Sequence, residues 1–259
     1  MGFSVLTYYE NELSKQIYVH GIRKEIKEII SLLGGIKNTS IKSGVKYSLL
    51  KEWPLGRKPI SIFSLNKLLT FLDLNAAQKI LNNLSNEDIE LGCSYSHIKM
   101  KFPKTLTSDL SYLIGLILGD GSLSGDGSNS KGNWKISLAF DNEIHMNYCI
   151  ALIKSIFGIQ MKYFRRGNGH YCHCNSKALH WFLKNYFEIS NGYKAEKIFT
   201  PLLIKCADIF CKVAFIQGLF DSDGTITGKT IKYATISERM AKEVKDTLED
   251  FGLKTYLYT

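Results

Sequence analysis

Two apolar runs that each close on Asp-Gly dominate the pattern of hydrophobic and polar positions along this chain. The first is Leu113-Ile114-Gly115-Leu116-Ile117-Leu118-Gly119-Asp120-Gly121, and the second is Phe215-Ile216-Gln217-Gly218-Leu219-Phe220-Asp221-Ser222-Asp223-Gly224. Runs of this kind predict buried helices, and the glycine after each aspartate suits the left-handed residue that stops a helix. In both copies another glycine, Gly115 or Gly218, stands five residues before the closing aspartate. A mid-helix glycine costs roughly 1 kcal/mol against alanine, so its recurrence at one offset points to two helix backbones in close contact. Such a pair would end with Asp120 and Asp223 side by side, a place suited to a divalent cation.

The periodicity of the first hundred residues predicts short helices. Apolar positions Ile26, Ile29, Ile30 and Leu33 have helical spacing, and Gly34-Gly35 ends that segment. Short helices follow over 36–43 and 46–53 around a Gly44-Val45 turn, then longer ones over 61–72 and 76–84. A polar turn is expected at 85–88 and an alternating strand at 95–102, closed by Pro103. Residues 1–20 carry little pattern. The domain boundary falls near 104, where Thr107-Ser108-Asp109 can cap the first motif helix.

Beyond each motif the same order recurs. After Asp120 come a hairpin with a Gly/Ser-rich loop at 124–132, a strand over 134–140, and a helix over 142–157 with Ile144, Tyr148, Leu152 and Ile156 on one face. Gly158 stops that helix, and a second hairpin (159–166 and 170–175) and a helix over 176–187 follow. After Asp223 come a hairpin of 224–227 and 229–236, a helix over 237–251 stopped by Gly252, and a strand over 254–258. The motif aspartates stand 103 residues apart (223 − 120), about one repeat. By comparison with the first copy, the second lacks about 30 residues: one strand and a covering helix.

Composition adds a partner. The chain of 259 residues is 45% hydrophobic and 22% charged, and its net charge of +9 favours a polyanion. Residues 1–104 carry 15 Lys+Arg against 9 Asp+Glu, and residues 105–259 carry 18 against 15, so both parts are basic. No apolar stretch reaches the ~20 residues of a membrane span, and the start has no signal-peptide pattern, which gives a cytoplasmic or organellar expectation. Six cysteines form no secreted disulfide framework. His170, Cys172, His173 and Cys174 invite a zinc site, but strand alternation sends Cys172 and His173 to opposite faces.

The two motifs and their spacing resemble the LAGLIDADG homing endonucleases in the single-chain, two-motif form. The resemblance implies an α+β fold of two pseudo-symmetric αββαββα repeats forming a DNA-binding saddle, the second appearing truncated, preceded here by a small all-α domain. The expected organisation is 1–104 for the helical region, 105–190 for the first repeat, 191–206 for a linker and 207–259 for an incomplete second repeat. It also implies a site-specific, metal-dependent endonuclease that leaves 5′ phosphates and short 3′ overhangs, with Asp120 and Asp223 catalytic and binding Mg²⁺. Main-chain carbonyls of Gly119 and Ser222 are further metal ligands by the same resemblance, and Gly115 and Gly218 form the helix interface. Leu118 departs from the earlier acid of the signature, whereas Asp221 keeps it. No lysine stands near the end of the second strand of the first copy; Lys232 is a candidate in the second.

Residues 29–72 are similar to phage-repressor-like helix-turn-helix domains, through Gly44-Val45, Trp53 and Gly56-Arg57-Lys58-Pro59. That likeness sends Lys46, Tyr47, Ser48 and Lys51 toward the major groove and Arg57 and Lys58 toward phosphate. On the hairpins, Lys131, Lys135, Lys162, Arg165, Arg166, His170, Lys229 and Lys232 are the candidates for contacts to double-stranded DNA. A monomer is expected. The chain starts Met1-Gly2 and ends Leu257-Tyr258-Thr259 without the residues of self-splicing, so a free-standing protein is expected. The alternative is a non-cleaving nucleic-acid-binding protein on the same fold, either a transcription regulator or an RNA-splicing maturase.

Overall fold

A computed structural model of the chain describes residue 3 and residues 12–86, 88–93, 98–125 and 134–258. The chain divides into two compact units between Thr105 and Leu106. The first contains β1 (Tyr18–His20), α1 (Arg23–Leu32), α2 (Gly35–Ser43), α3 (Tyr47–Glu52), β2 (Ile60–Ser61), α4 (Ile62–Leu69), α5 (Leu74–Asn86), β3 (Glu90–Gly92) and β4 (Met100–Lys101). Its helices follow the predicted order, and Gly44 adopts the left-handed conformation at the α2–α3 turn. The unit is not all-α. An antiparallel sheet in the order β2-β1-β3-β4 runs through it, with Ile17, Ile60, Leu91 and Met100 buried. Strands β1, β2 and β3, of two or three residues, are too short to express a two-residue period, which is why the hydrophobic pattern missed them. Helix α5 also runs through the expected polar turn, to Asn86, and of the expected strand 95–102 only Met100–Lys101 pairs, residues 94–97 lying outside the described set.

The second unit starts with α6 (Ser108–Gly119), β5 (Gly121–Ser124), β6 (Lys135–Phe140), α7 (Glu143–Phe157), β7 (Lys162–Arg166), β8 (Gly169–Asn175) and α8 (Lys177–Phe187), a complete αββαββα repeat. After α9 (Leu202–Lys205) come α10 (Ile209–Asp223), β9 (Gly224–Thr227), β10 (Thr230–Tyr233) and α11 (Glu238–Asp250). The helix starts are written locally. Thr107, Asn142, Ser176, Asp208 and Ser237 each accept a backbone N–H of the first turn through the side chain, satisfying donors that have no helical partner.

The first sheet has the antiparallel order β5-β6-β8-β7, and β9 pairs β10 in a separate two-stranded sheet. The register of the hairpins repeats: Leu123↔Ile136 and Gly121↔Leu138 in one, Ile226↔Ile231 and Gly224↔Tyr233 in the other. Two expectations fail. Helix α7 turns Met146, Cys149, Leu152, Ile153 and Phe157 inward, whereas Ile144 and Tyr148 are exposed. Both sets have helical spacing, so only the neighbouring sheet chooses between them. Residues 253–258 form no strand. They follow Gly252 as residues 159–164 follow Gly158, and in the first repeat the corresponding β7 reaches β6 only through β8. Among the described residues no strand takes the β8 position beside β10, and 253–258 pair with none.

Candidate active site

Helices α6 and α10 pack along their length because glycine removes the side chain where they cross. A Cβ on Gly115 would collide with the carbonyl oxygen of Phe215, and one on Gly218 with that of Tyr112. The glycines after the aspartates have a different job from the one expected. Neither Gly121 nor Gly224 has positive φ; a Cβ there would strike the carbonyls of Ile117 and Phe220, against which the chain folds back as it enters the hairpin. Close approach, not left-handed geometry, requires glycine at both.

This packing puts Asp120, at the C-cap of α6, beside Asp223, the last residue of α10. A Cβ on Gly119 would strike the Ser222 side chain, 2.5 Å from its Cβ, and stand 3.0 Å from Asp223 Oδ2, so the smallest residue is needed here as well. Burial first, and then the Asp223 carboxylate, push the Asp120 pKa up to about 6, with Lys194 opposing them. Asp223 is raised by burial and lowered by Lys194. The two acids share one environment, partly dry and mutually repulsive, which a bound cation would relieve.

Lys194 is the residue that sequence reasoning missed. Its buried ammonium donates to the Ile117 carbonyl and faces both carboxylates, and burial lowers its pKa to about 8 against their pull. It lies in the irregular segment after α8, which two bonds fasten: His180 Nε2 with Asn191 Oδ1 at 2.7 Å, and Gly192 N–H to the Leu123 carbonyl at 3.0 Å. A lone lysine in a loop has no local signal. Only the return of that loop over β5 brings it to the acids.

Flanking the pair, Tyr112 Oη donates to Asp221 Oδ2 (2.8 Å) and lies 3.0 Å from His145 Nε2. Equivalent positions in the other repeat are Phe215, Leu118 and Met240, all buried and apolar. The departure at Leu118 is thus part of a matched exchange: one side of the interface is hydrogen-bonded, the other is greased.

The register of the first sheet sorts the predicted contact residues. Lys135, Lys162 and Arg166 share one face with Ser122, Ser137, Phe164, Tyr171 and His173, and helices cover the other face, which carries Leu123, Ile136, Leu138, Cys172 and Cys174. Arg165 and His170 belong to that second face: His170 is buried there, which removes it from the contact surface, whereas Arg165 stays exposed next to the turn. His170 is buried and bonded through Nδ1 to Tyr163 Oη at 2.8 Å, and Arg165 Nε donates to the Gly167 carbonyl. An odd or even strand position decides this, and the basic character of a residue does not reveal it. Lys232 pairs with Thr225 on the open face of the second hairpin, and Lys229 is exposed in its turn. Lys131 lies outside the described residues. In the first unit Lys46, Tyr47, Ser48, Lys51, Arg57 and Lys58 are exposed, the Lys51 ammonium lying 4.7 Å from the Tyr47 ring centre.

Cys172 and His173 do point to opposite faces. Burial pushes the thiols of Cys149, Cys172 and Cys174 up to about 12, 11 and 12, which disfavours the thiolate that a metal needs.

Residues 210–259 match the LAGLIDADG-like domain model. The chain is 29% identical over 159 residues to a glutamine–fructose-6-phosphate aminotransferase of Methanocaldococcus jannaschii, covering 60% of this chain and 14% of that protein. It is 26% identical over 167 residues to a DNA polymerase of Thermococcus litoralis, covering 61% and 10%. The matched segments are thus a small part of these relatives, whose named activities differ from one another. Among solved structures, the homing endonuclease I-DmoI in complex with DNA and Mn is similar at 18% identity with a TM-score of 0.46, over 60% of this chain and 83% of that one.

Proposed function

We propose that the protein is a DNA endonuclease of the homing type, since residues 210–259 match the LAGLIDADG-like domain model and residues 108–157 repeat their plan. The reading rests above all on one observation: two interlocked glycine-bearing helices end in a pair of carboxylates with a buried lysine close to both. Its substrate is double-stranded DNA at a long site.

Hard oxygen donors in a partly dry cleft fit a hard divalent cation. Asp120 and Asp223 would hold Mg²⁺ or Mn²⁺, with main-chain carbonyls of Gly119 and Ser222 in the last helical turns as further oxygens. The ion, when bound, supplies Lewis-acid activation and a water of lowered pKa. The residues of the chain do the rest. Lys194, with a pKa near 8, holds a positive charge close to neutrality and is placed to offset charge that develops on a phosphate at the acid pair. Lys135, Lys162, Arg166 and Lys232 contact backbone phosphate, and Ser122, Ser137 and Thr225 offer hydroxyls to base edges. The exposed face of α3 adds a second basic surface on the other unit.

The alternative is a non-cleaving nucleic-acid binder, and one observation bears on it: among the described residues the second sheet has two strands where the first has four. Cleavage-site selection on a host-genomic DNA library, with Mg²⁺ and with EDTA, separates the two readings. The endonuclease predicts ends with a fixed short 3′ stagger, lost in EDTA and reduced by about 10³-fold or more in Asp120→Asn and Asp223→Asn, a magnitude usual for losing a group that stabilises transition-state charge. Retained, salt-sensitive binding of DNA or RNA with no metal-dependent ends would establish the binder.

A further inference from the structure

Among the described residues, the open face of the first sheet is polar apart from one row. Ala139, Tyr171 and Phe164 stand in register across β6, β8 and β7, whereas the next row on that face is Ser137, His173 and Lys162. Phe164 is 41% exposed. The alternation of a one-sided sheet puts apolar side chains on its covered face, so a large ring on the open one calls for a partner. The row is held in place by its own packing. The Phe164 and Tyr171 rings lie within 16° of parallel with centroids 5.4 Å apart, and the His173 ring stands at 69° to Phe164 with centroids 5.5 Å apart. Gly169 makes room for this, since a Cβ there would meet the Tyr171 ring at 2.9 Å.

Along β7 the same side of the strand carries Lys162, Phe164 and Arg166, a ring between two cations. At about 3.4 Å per residue the cations are anchored roughly 14 Å apart, close to the ~12 Å width of the major groove of duplex DNA. A strand laid across that groove sends its two cations to the phosphate rims and its ring to the floor between them. The floor offers one apolar group, the C5 methyl of thymine. Stacking on an unpaired base is the competing use of an exposed ring, and it needs a free ring face. Here the rings are turned to one another and to His173, whereas a methyl needs contact with only a few ring atoms. We propose that Phe164, supported by Tyr171, is a specificity determinant that selects thymine through its methyl group in the major groove. The inference rests on the proposed binding of duplex DNA and adds which base is read. Lys162 and Arg166 contact phosphate and carry no base preference.

The test selects duplexes from a randomised DNA library on the whole protein in EDTA, then remakes the best-retained duplex with uracil in place of thymine at one position at a time. Affinities are read by fluorescence anisotropy. Uracil differs from thymine only by the missing methyl, so at one or two positions the exchange should weaken binding about 4-fold, the usual effect of burying one methyl-sized group. Phe164→Ser should abolish the difference between thymine and uracil at those positions, and Phe164→Leu, which keeps an apolar group there, should retain it. The base exchange leaves the protein untouched, so this arm holds even where a substitution loosens the sheet. Retained duplex that is indifferent to uracil at every position overturns the inference alone, as does a methyl effect that survives Phe164→Ser unchanged. Tighter binding of the separated strands than of the duplex overturns it in favour of base stacking. A library from which nothing is retained brings down the proposed function, and this inference with it.

Discussion

The first repeat of the C-terminal unit and the second start from one plan and finish differently. Both have a glycine-notched helix ending in aspartate, a hairpin of matching register, and a helix begun by a polar cap. In the first, two more strands and α8 turn an alternating apolar pattern into core. In the second the same pattern faces outward. Burial is therefore a property of what lies opposite a strand, and the period of the strand reports only which residues would be buried together. The two repeats differ in kind as well: Tyr112, His145 and Asp221 form hydrogen bonds where the equivalent Phe215, Met240 and Leu118 are buried apolar side chains.

The largest test asks whether the two halves are equal where they touch. Gly115→Ala and Gly218→Ala each place a methyl on a backbone carbonyl of the opposite helix, which cannot move without separating the helices. Each should cost about 3 kcal/mol or more in chemical denaturation, by overpacking at a rigid contact. Equal losses would fit a symmetric interface, and a loss under half that at either glycine would break the symmetry.

The halves should then part company in the hairpins. Leu123→Ala and Ile136→Ala remove buried side chains and should each cost about 2–4 kcal/mol, whereas Ile226→Ala and Ile231→Ala should change stability by less than about 0.5 kcal/mol. Comparable costs in both hairpins would mean that Ile226 and Ile231 are covered in solution.

The smallest effect lies at the acids. The Asp120 pKa is raised to about 6, so the folded state holds a proton that the unfolded chain releases at lower pH. The stability that comes from this proton is fully present below pH ~4, the ordinary carboxylate value, and is lost as pH rises through about 6. Asp120 is only partly buried, and solvent screening reduces the loss to about 1 kcal/mol. Thermal melts of the wild type and Asp120→Asn between pH 4 and 7.5 should therefore diverge as pH rises, the wild type falling relative to the variant. Adding Mn²⁺ at pH 7.5 should raise the melting temperature of the wild type more than that of Asp120→Asn.

Much of this architecture was legible because it is written in local chemistry. Thr107, Asn142, Ser176 and Ser237 announce helix starts, Gly158 and Gly252 announce stops, and the duplicated Gly-to-Asp spacing singles out Asp120 and Asp223. Illegible features were those with no local signature. The sheet of the first unit is built from strands too short to show a period. The inward face of α7 has two candidates at helical spacing, and Ile144 lost to Met146 because of what α7 packs against. His170 was misassigned because it is basic, although its strand position lies on the buried face of the sheet.

By itself the sequence determined the order of the helices, the repeat, the pair of aspartates and the glycines that let their helices meet, because caps, breakers and apolar periods act over a few residues. The tertiary structure alone decided that Lys194 stands close to both acids, that Lys135, Lys162 and Arg166 share an open face, and that Ile226 is bare where Leu123 is buried. Each of those depends on which distant segment comes back to cover a surface, and a residue's own neighbours in the chain carry no record of that.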